Sequence, residues 1–285
     1  MASRRQLLRG ALGFAAAAAF PAHAKPLGLP LGLQLYTVGD ELARDFAGTL
    51  RRLAAAGYED VELAGFHGQA ATALRSMFKA TGLRCRSAHF GMEELDQGLD
   101  QVLADARTLG LTYIVCAMPR FSDFANITTD EWKANADVCN RVGARAKAAG
   151  FTFAYHNHNL EFRRAGASTG FDLLMAHTDP ALVKVQLDCG WVATSGLNPA
   201  EMILRYAGRV RLLHLKDLKR GFTRNTDMRI ETTGIGDGVM NWRAIFAAAK
   251  TARVEGYYVE IEAPFARPPL EMAAASATYL KALNF

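Results

Sequence analysis

One alternation runs through nearly the whole chain. A short apolar run is followed by a longer segment with apolar residues three and four apart, then a break, and the unit recurs eight times. The short runs are Leu31–Tyr36, Asp60–Leu63, Arg84–His89, Thr112–Ala117, Phe151–His156, Leu182–Asp188, Val210–Leu215 and Tyr257–Glu262. The helical patterns are Asp40–Ala56, Gln69–Ala80, Glu93–Leu109, Asp130–Ala149, Phe171–His177, Pro199–Tyr206, Trp242–Thr251 and Pro269–Leu283. Gly57, Gly82, Gly110 and Gly150 close four of these helices, and Thr128 and Thr129 supply caps for the longest. Strands alternating with helices imply a parallel sheet, and eight such units are what a single (β/α)8 barrel needs. The competing architecture is an open doubly wound sheet. No G-x-G-x-x-G follows the first strand, so a dinucleotide-binding fold has no support.

In a closed α/β barrel the C-terminal ends of the strands carry the chemistry. Here those ends present Gln34 and Tyr36, Glu62, His89, His156 and His158, Asp188, His214 and Lys216, and Glu260 and Glu262. Residues two apart on a strand share a face, so His156 pairs with His158, His214 with Lys216, and Glu260 with Glu262. So many buried polar groups are costly unless a ligand or metal compensates them. One histidine at a strand end is more often a hydrogen-bonded core residue. Asp188 alone caps the next turn, and Glu260 alone pairs with Lys216 or an arginine. Together, His156, Asp188, His214 and Glu260 from four successive strands point to one divalent ion. Imidazole with carboxylate suits manganese, zinc, cobalt or iron. Lys216 reads either as a stabiliser of oxyanion charge or as an outward lysine paired with Asp217. Trp191 is either core or a flat face for a sugar.

The charge of +5 is concentrated at the N-terminus. Without Arg4, Arg5 and Arg9 the 33 basic residues fall to 30 against 28 acidic ones, too balanced for a nucleic-acid or membrane surface. Residues 1–24 read as a twin-arginine export signal: Arg4-Arg5, a short apolar core from Gly10 to Phe20, and Ala22-His23-Ala24 as a cleavage site. The expected mature domain is 25–285, periplasmic or exported, with no membrane anchor left after cleavage. The apolar core is shorter than the roughly 20 residues a bilayer requires. Cys85, Cys116, Cys139 and Cys189 form no C-x-x-C; the first three sit in apolar-patterned elements and read as buried thiols, whereas Cys189 follows Asp188 near the expected site and is assigned no role, and spacing leaves disulfide pairing open. The long segment from Lys219 to Asn241, carrying Gly234-Ile235-Gly236-Asp237-Gly238, is expected to act as a lid, with a phosphate-binding glycine loop as the second reading.

Several stretches together carry a resemblance. They are Gly32-Leu33-Gln34-Leu35-Tyr36-Thr37, Gly57-Tyr58-Glu59-Asp60-Val61-Glu62-Leu63-Ala64-Gly65, Ser87-Ala88-His89, Tyr155-His156-Asn157-His158, Leu187-Asp188-Cys189-Gly190-Trp191 and His214-Leu215-Lys216-Asp217. In this order they resemble the sugar phosphate isomerase/epimerase family of the xylose isomerase-like TIM-barrel superfamily, which includes endonuclease IV. In its ketose epimerases Glu, Asp, His and Glu on strands 5 to 8 hold the metal. Position by position this implies His156, Asp188, His214 and Glu260, with His156 a departure from the family's glutamate. The resemblance implies a sugar isomerase or epimerase that moves a proton next to a carbonyl through a metal-stabilised enediolate. His158 or Glu161 would serve as one proton-transfer group and Glu260 as a metal-bound carboxylate. Gln34, Tyr36, Glu62, His89, Trp191 and Glu262 would contact substrate. Glu161 as a ligand stays open, as does an oligomer. The other readings are a 3-keto-glycoside lyase or hydrolase on the same metal site and a non-catalytic sugar-binding barrel. A nuclease is disfavoured by the missing basic face. The expected partner is a small sugar or keto-sugar.

Overall fold

The computed structural model describes residues 25–283; the export segment expected at 1–24 lies outside them. The barrel strands are β1 (Gly32–Gln34), β2 (Asp60–Ala64), β3 (Arg84–Gly91), β4 (Tyr113–Met118), β5 (Thr152–His156), β6 (Val183–Asp188), β7 (Val210–Leu215) and β8 (Gly256–Val259). Each pairs in parallel with its neighbours in sequence, and β8 closes on β1 through Gly32 opposite Tyr258 and Leu33 opposite Val259. The sequence alternation therefore forms a single closed barrel, as expected.

Two apolar layers stabilise it. Between the strands and the helices lies the main core, with Leu33, Val61, Ile114, Phe153, Val185 and Leu213 all shut off from solvent. Inside the barrel a smaller cluster of Tyr113, Val115, Ala154, Leu212 and Tyr258 plugs the tube, so the interior is packed rather than open. Cys85, Cys116, Cys139 and Cys189 are buried free thiols. Among the described residues no helix is long and apolar enough to cross a membrane.

The helix expected over Asp40–Ala56 is two helices, Gly39–Arg44 and Phe46–Ala56. Asp45 leaves helical geometry between them, and its side chain accepts from the Gly48 N–H at 2.8 Å, capping the second. Glu93–Leu109 divides likewise at Gly98, which sits at φ −117° between Met92–Gln97 and Leu99–Leu109. The long helix Thr129–Ala148 starts on a reciprocal capping box between Thr128 and Glu131. Strand ends also differ from the sequence pattern. β1 stops at Gln34 and Leu35–Val38 form a 3-10 turn, which places Tyr36 beyond the sheet. β8 stops at Val259, yet the Glu260 N–H still bonds the Leu215 carbonyl at 3.0 Å and keeps Glu260 in strand register.

The long segment after β7 is tied down. Asp217–Leu218 pairs antiparallel with Thr232–Thr233. The Asp217 carboxylate accepts from the N–H groups of Gly236 at 2.8 Å and Met240 at 3.0 Å, and from the Trp242 indole at 3.0 Å. Farther along, the Asn159 amide donates to the Asn225 carbonyl and accepts from the Met228 N–H, at 3.1 and 3.0 Å. The expected lid is thus docked in place. Asp217→Ala removes these acceptors together; at ~0.5–1.5 kcal/mol per hydrogen bond a loss of about 2–4 kcal/mol in denaturant unfolding follows. Faster proteolytic cleavage between Lys219 and Asn241 should accompany it, and unchanged stability and cleavage would refute this role.

Candidate active site

The polar centre is built on Glu62. This carboxylate of β2 has no solvent exposure. It accepts from Gln34 Nε2 at 2.9 Å, Ser87 Oγ at 2.5 Å and Gln186 Nε2 at 2.6 Å. His89 Nε2 lies 3.2 Å from it, and His214 Nε2 makes a short bond to it. Burial alone would raise its pKa, but His89 and His214 hold it well below the usual carboxylate range. Glu62 was expected to contact substrate; the structure instead places it beneath the site with its oxygens already occupied, away from the cavity lining. Gln186, which sequence reasoning passed over, is part of the same floor. Its Oε1 accepts from His89 Nε2 at 2.7 Å and His156 Nδ1 at 3.1 Å.

With Nε2 engaged by Glu62, the His214 ring turns Nδ1 toward Glu260 Oε2 at 2.6 Å and Asp188 Oδ2 at 3.8 Å. The ligand atoms of Asp188, His214 and Glu260 lie within 4.8 Å of one another, as do those of His89, His156 and His214. Of the expected set, three residues form the first triangle, and His156 joins the second, its ring 4.6 Å from that of His214. Asp188 has divided duties: Oδ1 accepts from the Trp191 N–H at 2.8 Å and caps the next helix, whereas Oδ2 is buried without a hydrogen bond. A carboxylate oxygen that makes no hydrogen bond, although the Lys216 ammonium stands 3.2 Å from it, facing an imidazole backed by a second carboxylate, is a fitting donor set for a divalent cation. The triangle therefore fits the ion that the sequence implies, with Glu62 orienting the imidazole from behind. Without an ion, burial would push the His214 imidazole down, but Glu62 and Glu260 outweigh it and hold its pKa at about 10. Metal ligation there requires that proton to leave.

Lys216 points inward and is not paired with Asp217. Its ammonium is buried, 3.2 Å from Asp188 Oδ2 and 3.1 Å from Glu260 Oε2, and it donates a short bond to Glu262 Oε1. It also lies 5.0 Å from the Trp191 ring centroid. Gly190 makes room: a Cβ there would stand 2.5 Å from Lys216 Cβ. Burial would lower the lysine pKa, but the carboxylates of Asp188, Glu260 and Glu262 raise it. The carboxylates themselves diverge. Burial raises Glu262 and Asp188 despite Lys216, whereas Lys216 and His214 overcome the burial of Glu260 and hold it low.

Above this floor opens a cavity of about 400 Å3, whose polar wall is His156, His158, Lys216, Glu260 and Glu262. Gln34, Tyr36, His89 and Trp191 also line it. Burial and the Lys216 charge bring His158 down to about 3, so its imidazole is neutral, and its Nδ1 has no hydrogen-bond partner. Burial, followed by the other histidines, pushes His156 well down. Glu161 is outside this cavity. Its Oε1 accepts from the Tyr155 hydroxyl at 2.9 Å and its Oε2 from the His158 N–H at 2.9 Å. Because Tyr155 alternates with inward His156, its side chain packs in the core outside the barrel, and the 3-10 turn Leu160–Phe162 carries Glu161 to that side. The expectation of Glu161 as a base or ligand is corrected by this placement: it holds the His158 backbone from behind. Sequence reasoning also missed Phe90, Met118 and Met228 in the lining. The first two sit at strand ends and were readable by position; Met228 is on an irregular segment with no periodic signal.

A model of the xylose isomerase-like TIM barrel family matches residues 50–283. An inosose dehydratase of Clostridium perfringens is 31% identical over 175 residues, 57% of this chain and 58% of that protein. The chain thus spans less than two thirds of the length of the first curated relatives it matches. A solved sugar phosphate isomerase/epimerase from Parabacteroides distasonis has a TM-score of 0.78 and 29% identity, covering 90% of this chain and 96% of that one. A solved IOLI protein with a bound zinc atom, 14% identical with a TM-score of 0.69 and covering 89% and 98% of the two chains, shares the fold.

Glu161 generates a pH prediction. Burial raises its pKa from 4.5 to about 7. A carboxyl raised on folding contributes stability that is fully present below its unfolded pKa and lost as pH rises through its folded pKa. Glu161→Gln should therefore become more stable relative to wild type between about pH 4.5 and 7, the span of the shift. Denaturant unfolding of both proteins at several pH values measures this; a pH-independent difference refutes it.

Proposed function

The chain belongs to the xylose isomerase-like TIM barrel family, and from that premise we propose that it abstracts a proton next to the carbonyl of a small keto-polyol and expels a β-oxygen substituent, acting as a dehydratase or lyase. One observation carries the choice of elimination. With Glu161 behind the wall and Glu260 in the ligand triangle, Glu262 is the cavity-lining carboxylate left for proton transfer among the described residues. An epimerase that exchanges a proton between two faces needs a second base, and an imidazole held near 3, as in His158, is a weak one. The inosose dehydratase relatives support the same reading.

A divalent cation held by Asp188, His214 and Glu260, with His156 beside them, would supply Lewis acidity at the carbonyl oxygen. The chain's own groups do the rest. Glu262, raised by burial, takes the proton as its C–H bond breaks. The electron pair closes the carbon–carbon double bond while the β C–O bond breaks. Lys216, donating to Glu262, sits where it stabilises the departing oxygen's charge, and the proton taken up by Glu262 passes to that oxygen so that water or an alcohol leaves. Trp191 and Met228 add apolar surface to the cavity wall. The second reading is the sugar epimerase implied by the sequence resemblance, with His158 as the other proton-transfer group; the likeness to the Parabacteroides distasonis protein favours it. Export through residues 1–24 belongs to the same proposal and would put the reaction outside the cytoplasm.

The decisive assay uses cyclic keto-polyols and 3-keto-glycosides in deuterated water with added divalent metal. Elimination gives an absorbing unsaturated ketone and a released water or alcohol. Deuterium incorporation without release of a substituent establishes the epimerase instead. Glu262→Gln should lower turnover about 10²–10⁴-fold, the span of general-base effects, with metal content unchanged. Asp188→Ala should lower metal content as well as turnover. Full turnover in Glu262→Gln would remove it as the base.

A further inference from the structure

The cavity divides by the half of the barrel that builds it. β5 to β8 supply the titratable wall already described. β1 to β4 supply Tyr36, Phe90 and Met118 among small residues, and Met228 closes over them from the docked segment. Gln34 and His89 also come from this half; Gln34 Nε2 and His89 Nε2 are bonded into the floor with Glu62 and Gln186. Tyr36 is 60% exposed and Met118 36% exposed, two large apolar side chains left in water at one cavity mouth. Single exposed apolar residues are ordinary. These are continuous with buried Phe90, which packs on Phe66 at 6.3 Å between ring centroids. The backbone at Tyr36 is held at the cavity mouth, its N–H bonded to Gln34 Oε1 at 3.2 Å.

Two aromatic rings and two thioethers form a surface suited to another flat ring. Aromatic pairs favour offset or edge contacts, and methionine sulfur packs against ring edges. A second sugar would fit poorly, because beyond the Tyr36 hydroxyl and one His89 ring nitrogen this wall offers its hydroxyl groups no side-chain partner, and buried polar groups without partners are costly. The cavity, at about 400 Å3, falls within the roughly 300–1,000 Å3 of sites for drug-sized molecules. We propose that the β1–β4 side is a subsite for an aromatic substituent, so that the substrates are aryl-substituted polyol rings, with the polyol end against Lys216 and Glu262 and the aryl end between Tyr36 and Met118. This rests on the polyol-processing reading above and names its substrate class.

Binding, rather than turnover, tests it. Calorimetry compares phenyl β-glucoside with methyl β-glucoside on wild type, on the double variant Tyr36→Ser/Met118→Ser, and on Glu262→Gln. Wild type should bind the phenyl compound at least about tenfold more tightly than the methyl compound, and the double variant should reduce that ratio below about threefold. Equal affinities in wild type, no binding of the phenyl compound, or a preference that survives in the double variant overturns the subsite. So does a wild-type dimer that the double variant dissociates, since Tyr36 and Met118 would then face a second copy. Failure of the polyol reading looks different: Glu262→Gln leaves methyl glucoside affinity unchanged while the phenyl preference persists.

Discussion

A fully buried carboxylate at the centre of the barrel organises the rest of the site. Glu62 has no water to solvate it, so the chain must bring donors from several strands. Gln34 on β1, Ser87 and His89 on β3, Gln186 on β6 and His214 on β7 all converge on its two oxygens. Each is oriented in doing so. The consequence for chemistry is at His214: one ring nitrogen is committed below, and the other has to face Asp188 and Glu260 above. A ligand triangle is thus a by-product of satisfying a charge one layer deeper. The same logic fixes Gln186, whose amide donates to Glu62 while its oxygen collects His89 and His156.

The next layer separates functions among like groups. Asp188, Glu260 and Glu262 all share the Lys216 ammonium, yet they do not share a protonation tendency. Glu260 gains both Lys216 and His214 and is pulled low, whereas Glu262 meets Lys216 alone and burial prevails. Two carboxylates two residues apart are thereby assigned different work by their surroundings, one suited to holding a cation and one to carrying a proton. The histidine wall opposite, held neutral by burial, adds polarity without adding charge.

Much of this was legible in the sequence because barrel geometry is repetitive. Apolar runs alternating with helical patterns gave the fold, and strand-end position with parity brought Asp188, His214, Lys216, Glu260 and Glu262 to one place. Gln186 was legible too, two residues before Asp188 on the same face. Glu161 was misread because nearness in sequence to His156 and His158 hides a 3-10 turn that moves it to the Tyr155 side of the strand. The breaks at Asp45 and Gly98 were invisible because apolar spacing carries on through both. Glu62 was recognised as a strand-end carboxylate, but pattern alone does not distinguish a group that faces a ligand from one that supports those that do. Met228 reaches the cavity from an irregular segment, where residue spacing has no geometric meaning.

That irregular segment also bears on the reacting pair. Lys216 and Asp217 are adjacent and face opposite ways, so Lys216 enters the cavity while Asp217 gathers the backbone of Gly236 and Met240. The other partner, Glu262, exchanges two bonds with Thr232 of the same ribbon: its carbonyl accepts from Thr232 Oγ1 at 2.8 Å and its N–H donates back at 2.9 Å. Both members of the Lys216–Glu262 pair therefore stand on backbone clamped by one short antiparallel ribbon. A proton-transfer group is effective only when held close to its working geometry. The segment that brings Met228 to the cavity is thus the one that sets the spacing of its ammonium and its carboxylate, and in the proposed reaction this would tie recognition of a substrate to the alignment of the groups that act on it.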